Sequence, residues 1–162
     1  MFGLGTDDAH NYHDFAVGQS NTGRGWVMVR ATSPTPGSII AAMERGDFYA
    51  SSGVEVDSIH LAAGRYSFRI QPEAGVTYTT RFIGTRKNFK RSSDLAQRNS
   101  LKPSEAGIGE ILGQSKSLEP SYTLNGDELY VRAEITSSKK MANPFVAGEH
   151  ERAWLQPVRQ GK

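Results

Sequence analysis

Apolar and polar positions alternate with a period of two over most of this chain, and only one short stretch carries the three-to-four spacing of a helix. The first ordered run, Trp26 to Ala31, is almost continuously apolar and rich in strand formers, which predicts a strand covered on both faces. Prolines at 34 and 36 then break the chain. Ser38 reads as an N-cap, Ile39, Ile40 and Met43 as one buried helix face, and Gly46 as the residue that ends it, so a helix of roughly two turns is expected. From Asp47 the period returns to two. Phe48-Tyr49-Ala50 leads through Ser51-Ser52-Gly53 into Val54 and Val56, and the inward phase slips before Ile59, which predicts a bulge near Asp57 and Ser58. Ala62-Ala63-Gly64 reads as a tight connection, followed by inward Tyr66, Phe68 and Ile70, a turn from Pro72 to Gly75, and a strand from Val76 to Ile83.

Residues 84–109 interrupt the alternation with a long polar stretch, including the basic run Arg86-Lys87-Asn88-Phe89-Lys90-Arg91. Short strands resume at Ile108 to Leu112 and Leu118 to Leu124, with a turn at Asn125-Gly126-Asp127. The cleanest alternation follows, with Leu129, Val131, Ala133 and Ile135 on one side and Tyr130, Arg132, Glu134 and Thr136 on the other. After an irregular loop around Asn143-Pro144-Phe145, Ala153 to Val158 reads as an edge strand, because Pro157 cannot donate to an inner ladder. The pattern from Val54 onward is about seven short strands separated by turns, which predicts a mainly β fold. The expected architecture is an antiparallel, immunoglobulin-like β-sandwich over residues 54–162, preceded over residues 1–53 by a separate section with one strand and one short helix.

Composition narrows the functional classes. The chain has no cysteine, so disulfides, thiolate chemistry and cysteine-ligated zinc are excluded. A formal charge of +2 gives little reason to expect nucleic acid, and the basic run around Phe89 is one aromatic among cations, a poor stacking platform. No apolar run approaches the ~18 residues of a membrane span, and no secretory leader pattern stands at the N-terminus. No compartment is indicated.

Candidate chemistry is concentrated in Gly5-Thr6-Asp7-Asp8-Ala9-His10-Asn11-Tyr12-His13-Asp14-Phe15. In an extended segment Asp8 and His10 point to one side, so a carboxylate oxygen and an imidazole nitrogen can share a divalent ion. Asp7 and His13 are additional candidates, and His10 with His13 would share a face only in a helix, with Asp14 beside them. A hydrolytic metal centre needs about three protein ligands and an open position. The two remaining histidines, His60 and His150, lie far along the chain. The plain alternative for this stretch is a polar N-terminal arm.

Several local sequences in order, Gly5 to His10, Arg24 to Ala31, Ile39 to Val54, Tyr130 to Ser138 and Ala153 to Val158, resemble the C-terminal part of PHP-type metal-dependent phosphoesterases, the polymerase and histidinol phosphatase superfamily, with the β-sandwich extension some of them carry. The resemblance implies that Asp8 and His10 match the last D-x-H ligand pair of a distorted β/α barrel that holds zinc, manganese or iron. It also implies that Trp26 to Ala31 and the helix after Ser38 are the closing strand and helix of that barrel. The family's early H-x-H pair and middle ligands have no counterpart here. The expectation is therefore a C-terminal remnant of a PHP-type catalytic domain over residues 1–53 and an accessory sandwich over 54–162, with no catalytic residue of its own and no tightly bound metal.

That reading carries a partner expectation, since the apolar strand from Trp26 to Ala31 would pair with the missing catalytic portion or with a second copy. Two other readings compete. One is a freestanding carbohydrate- or protein-binding sandwich using Tyr49, Tyr78, Tyr122, Tyr130 and Trp154, and it requires that two or three of these rings share an exposed face. The other is a small metal-binding protein built on Asp8, His10, His13 and Asp14.

Overall fold

The computed structural model describes residues 2–89 and 107–160. The chain is an antiparallel β-sandwich with a six-stranded and a three-stranded sheet and one helix. In chain order the elements are β1 (Trp26–Val29), α1 (Pro36–Arg45), β2 (Phe48–Ser51), β3 (Val56–Ala62), β4 (Arg65–Ile70), β5 (Tyr78–Arg86), β6 (Glu110–Ser115), β7 (Ser121–Thr123), β8 (Glu128–Lys140) and β9 (His150–Leu155). The larger sheet runs β1-β2-β9-β8-β5-β6 and the smaller β3-β4-β7.

Seven of the nine strands follow Val54, as the alternation predicts. The slip before Ile59 is a register shift between Val56 and Ser58. Ala63 and Gly64 close the β3–β4 hairpin with φ of 49° and 74°, the left-handed pair of a type I′ turn. Tyr66, Phe68 and Ile70 face inward with at most 2% of their surface exposed. They meet Tyr78 and Phe82 of β5, Val131, Ala133 and Ile135 of β8, Ala153 and Leu155 of β9 and Tyr49 of β2. Phe82 lies at the centre, with ring centroids 6.2, 6.0 and 5.5 Å from Tyr66, Phe68 and Tyr122.

Four local expectations are corrected. The helix begins at Pro36, with Thr35 rather than Ser38 at its N-cap, because proline fits the first helical turn and holds the residue before it extended. Ser38 instead hydrogen-bonds back toward Thr32 and Ser33. Ile40 is 57% exposed, so the helix buries Ala42 rather than an Ile39–Ile40–Met43 face, and Gly46 ends it at φ 80° as expected. β1 is not covered on both faces; it is the edge of the larger sheet, and the fully buried strand is its neighbour β2. β9 is an inner strand between β2 and β8, since Pro157 lies beyond its end and leaves the ladder intact.

A fifth correction has chemical consequences. Thr85 pairs with Tyr130 and Arg86 with Glu128, so Leu129 is bulged out and 39% exposed, while Glu128 takes the inward place with 4% exposure. Burial alone would raise the Glu128 pKa, but hydrogen bonds from Tyr122 Oη at 2.7 Å and from the Asn125 and Gly126 amides hold it low. The same contact and burial push the Tyr122 hydroxyl up to about 12.

The two sections expected from the sequence share one sheet. β1 and β2 lie before residue 54, yet β2 pairs with β9 through Tyr49–Leu155, Ala50–Trp154 and Ser51–Ala153. The β1–β2 pair is antiparallel. Among the described residues no helix is long and apolar enough to cross a membrane. The strand β5 extends through Arg86, so the interruption begins later than Gly84; Lys90, Arg91 and the polar stretch to Ala106 lie outside the described residues.

Truncating the central ring, Phe82→Ala, is expected to cost about 3–5 kcal/mol. A thermal melt followed by circular dichroism should then show a midpoint lower by roughly 10 °C.

Candidate functional site

Residues 2–5 cross the outer side of β2, and the first twenty-five residues are fixed at three points. At the first, Gly3 donates its amide to Gln156 Oε1 at 2.9 Å and accepts Gln156 Nε2 at 2.8 Å, a reciprocal pair that ties the arm to the chain beyond β9. Phe2 packs edge-on against Phe48 at 6.0 Å.

The second point is Asp7. Its carboxylate accepts the backbone N–H groups of Gly23, Arg24 and Gly25 at 2.8, 2.6 and 2.5 Å, three donors presented in succession by the glycine-bracketed turn that leads into β1. Burial would raise the Asp7 pKa, yet these hydrogen bonds and the Arg24 charge outweigh it and hold the carboxyl below its ordinary value.

The third point is Arg24, a residue only 9% exposed. Nε donates to Asn143 O at 2.9 Å, Nη1 to Gln19 O, and Nη2 lies 2.9 to 3.1 Å from Asn21 Oδ1, Asn143 Oδ1, Pro144 O and Ala16 O. The guanidinium also stands over the Phe145 ring at 5.7 Å. One side chain thereby binds the loop at 16–21 to the loop at 143–145. Fully buried Asn21 completes the tie by donating to Asn11 O and Asp14 O at 3.1 and 2.7 Å.

This frame sorts the acidic and imidazole side chains of the motif into two roles. Asp7 is occupied by backbone amides and acts as an anchor. Asp8 and His10 project outward, with side chains 89% and 72% exposed and Asp8 Oδ1 3.9 Å from His10 Nδ1. The segment between them is not a plain extended strand, because Asp8 adopts φ 49° and His10 Nδ1 lies 2.6 Å from the Asp8 carbonyl oxygen. That contact holds Nδ1 and leaves Nε2 facing solvent. Residues 2–25 are not helical, so the three-residue spacing of His10 and His13 does not place them on one face; His13 and Asp14 are both exposed. Among the described residues no three His, Cys, Asp or Glu side chains stand close enough together to hold a metal ion. His60 is exposed, and His150 Nδ1 lies 3.0 Å from Ser137 O.

Exposed apolar side chains are frequent in the first forty residues. Of the fifteen large apolar side chains exposed among the described residues, eight fall within residues 2–40, among them Leu4, Tyr12, Phe15, Trp26, Met28 and Ile40. Trp26 and Met28 stand opposite Ser51 and Tyr49, on the face the smaller sheet would cover if it were wider. β1 contributes nothing to the core.

The five candidate platform rings separate. Tyr49 and Tyr78 are buried in the core, Tyr122 is held between the sheets by Glu128, and only Tyr130 and Trp154 line one open groove on the outer face of the larger sheet. The basic run has a structural role where it is described: Arg86 pairs with Glu110 at 3.2 Å and Asp127 at 2.5 Å, and Lys87 donates to Gly126 O at 2.6 Å. The Arg24 tie was not readable from the sequence, since an arginine between two glycines carries no signal of the distant carbonyls it reaches. Comparisons with protein-family models, with curated proteins and with solved structures find no match to the chain.

Asp7→Asn replaces an acceptor-only carboxylate with a group whose amide faces N–H donors, and is expected to cost about 2 kcal/mol, whereas Asp8→Ala changes stability by less than about 0.5 kcal/mol. Because the folded pKa of Asp7 lies below its unfolded value of about 3.9, its contribution is present above that pH and is lost as pH falls through the folded pKa. Urea melts of the three proteins at pH 7 and at about pH 2.5 check this: the gap between wild type and Asp7→Asn should narrow in acid.

Proposed function

We propose that this chain supplies the D-x-H half of a divalent-metal site, together with the accessory β-sandwich that carries it, to a PHP-type metal-dependent phosphoesterase. The observation that carries the reading is the contrast between neighbours: Asp7 is locked to three amides, while Asp8 and His10 are held out on the same arm. Exposed donors with free oxygen and Nε2 lone pairs, on a backbone tied down beside them, are what a shared site asks of one contributor.

The donor set fits a hard-to-borderline divalent ion, but it is two ligands where a hydrolytic centre needs three or more. Such an ion, when bound, would lower the pKa of a water and neutralise phosphoryl oxygens. The chain's own part is to fix the position of one carboxylate and one imidazole, to orient His10 through its Nδ1 contact with the Asp8 carbonyl, and to present an apolar margin against which the rest of the site docks. That margin includes the free edge of β1, which carries no charge, proline or bulge to discourage pairing. Its partner is the remaining catalytic portion, or a second copy of the chain. On this reading the chain alone hydrolyses nothing.

Manganese titrated into the chain and followed by nuclear magnetic resonance tests the assignment. Broadening should centre on His10 and Asp8, spare His60 and His150, and vanish in Asp8→Ala, His10→Ala, with zinc calorimetry giving a dissociation constant no tighter than about millimolar, worth roughly 4 kcal/mol. Broadening spread evenly over exposed carboxylates would refute the half-site. A micromolar site abolished by the double change would show that the chain holds a complete ligand set.

A further inference from the structure

The outer face of the larger sheet carries a groove of about 650 Å³, a volume within the range of small-molecule sites. Alternation along β8 turns Tyr130 and Arg132 outward, and the pairing of Glu134 with Trp154 brings the β9 indole beside them. The other wall is the arm at residues 2–5 with Pro157, and Arg159 stands at the rim. The wall is fixed by the Gly3–Gln156 pair and by the close seat of Gly5 on Ala50, where an added Cβ would fall 2.8 Å from the Ala50 Cβ.

The chemistry of this lining is selective. It contains three flat rings, Phe2, Tyr130 and Trp154, and two guanidiniums, and no carboxylate. Its one side-chain amide, Gln156, already has both ends engaged by Gly3. Tyr130 Oη accepts from Thr85 Oγ1 at 3.3 Å, which leaves its O–H as the one free hydroxyl donor of the lining. A neutral sugar, which needs carboxylates and amides to hold its hydroxyls, finds few partners here. The arginine charges are only loosely balanced: Arg132 Nη1 is 3.9 Å from Glu134, which Arg152 shares at 3.8 Å, and among the described residues no ion pair reaches Arg159.

We propose that this groove is a binding site for a planar aromatic carboxylate, its ring system packed on Trp154 and Tyr130 and its carboxylate held by Arg132 and Arg159. Ring faces supply apolar contact without a hydroxyl-reading network, and guanidiniums match a carboxylate in geometry and charge. The site is independent of Asp8 and His10, neither of which lines it.

The test uses naphthalene-2-carboxylate as probe, with naphthalene-2-methanol as its neutral counterpart and trigalacturonate as an acidic sugar. Calorimetry with the intact chain should show the carboxylate binding about tenfold more tightly than the alcohol, the difference one charge-assisted contact makes. Arg159→Gln, at an exposed position past the last strand, and Arg132→Gln should each weaken the carboxylate about tenfold and leave the alcohol unchanged. Trp154→Phe should remove the fluorescence response that Trp26→Phe retains. The proposal is overturned if carboxylate and alcohol bind equally, if neither binds at millimolar concentration, if both arginine variants bind as wild type, or if trigalacturonate displaces the carboxylate with higher affinity. Because Arg159→Gln leaves the sheet untouched, its loss of affinity cannot be ascribed to unfolding.

Discussion

A guanidinium buried against backbone oxygens is the constraint on which the first quarter of this chain depends. Taking a charge out of water is costly unless its donors are met, and Arg24 meets them with carbonyl and amide oxygens from two loops separated by more than a hundred residues of sequence. Its own backbone N–H, with those of its two glycine neighbours, is given to Asp7. The carboxylate and the guanidinium therefore act in series: Asp7 holds the turn, the turn aims Arg24, and Arg24 closes the loops over one end of the sheet. Without that tie the arm would have little apolar contact to hold it, since Leu4, Tyr12 and Phe15 are each more than half exposed.

The mismatch in sheet width explains the rest of the distribution. Three strands cover the middle of a six-stranded sheet, so β2, β9, β8 and β5 share the core while β1 overhangs. The overhang is apolar and so is the helix that follows it, where Ile40 faces solvent. Apolar surface gathered on one side of a domain marks a place where something docks. The arm that leads into β1 holds out Asp8 and His10, and the proposed half-site reading draws on both features. The outer face over β8 and β9, walled by the start of the arm, is instead mixed in charge and aromatic, which gives it a separate chemistry.

Much of the sandwich was legible in advance because period-two alternation reports burial directly. Tyr66, Phe68, Ile70, Val131, Ala133 and Ile135 all face inward as the pattern requires, and the bulge at Val56–Ser58 was visible as a slip of phase. What the pattern could not show was lateral position in the sheet. A continuous apolar run reads the same on an edge as in the middle, so β1 was expected to be covered and is not; a proline just past a strand reads like one inside it, so β9 was expected at the edge and is central. The inward carboxylate of Glu128 was masked by Leu129, the stronger apolar signal next to it, because the bulge that exchanges them is a property of the pairing and not of either residue. At the candidate site the D-x-H spacing drew attention to Asp7, Asp8 and His10 alike. Only the hydrogen bonds of residues 23–25 separate the anchor from the two exposed donors.

Native-state hydrogen exchange at the amides of His10, Asn11, Gly23, Arg24 and Gly25 tests most directly whether the arm is the rigid frame described. The first two donate to Ser20 O at 2.9 Å and the other three to Asp7. Exchange slowed by more than about tenfold relative to the unfolded chain, and restored to the unfolded rate by Asp7→Ala while the β8 amides stay protected, is the predicted result. If those five amides exchange at the unfolded rate in the wild-type chain while β8 is protected, the arm is not a frame and Asp8 and His10 are not positioned donors.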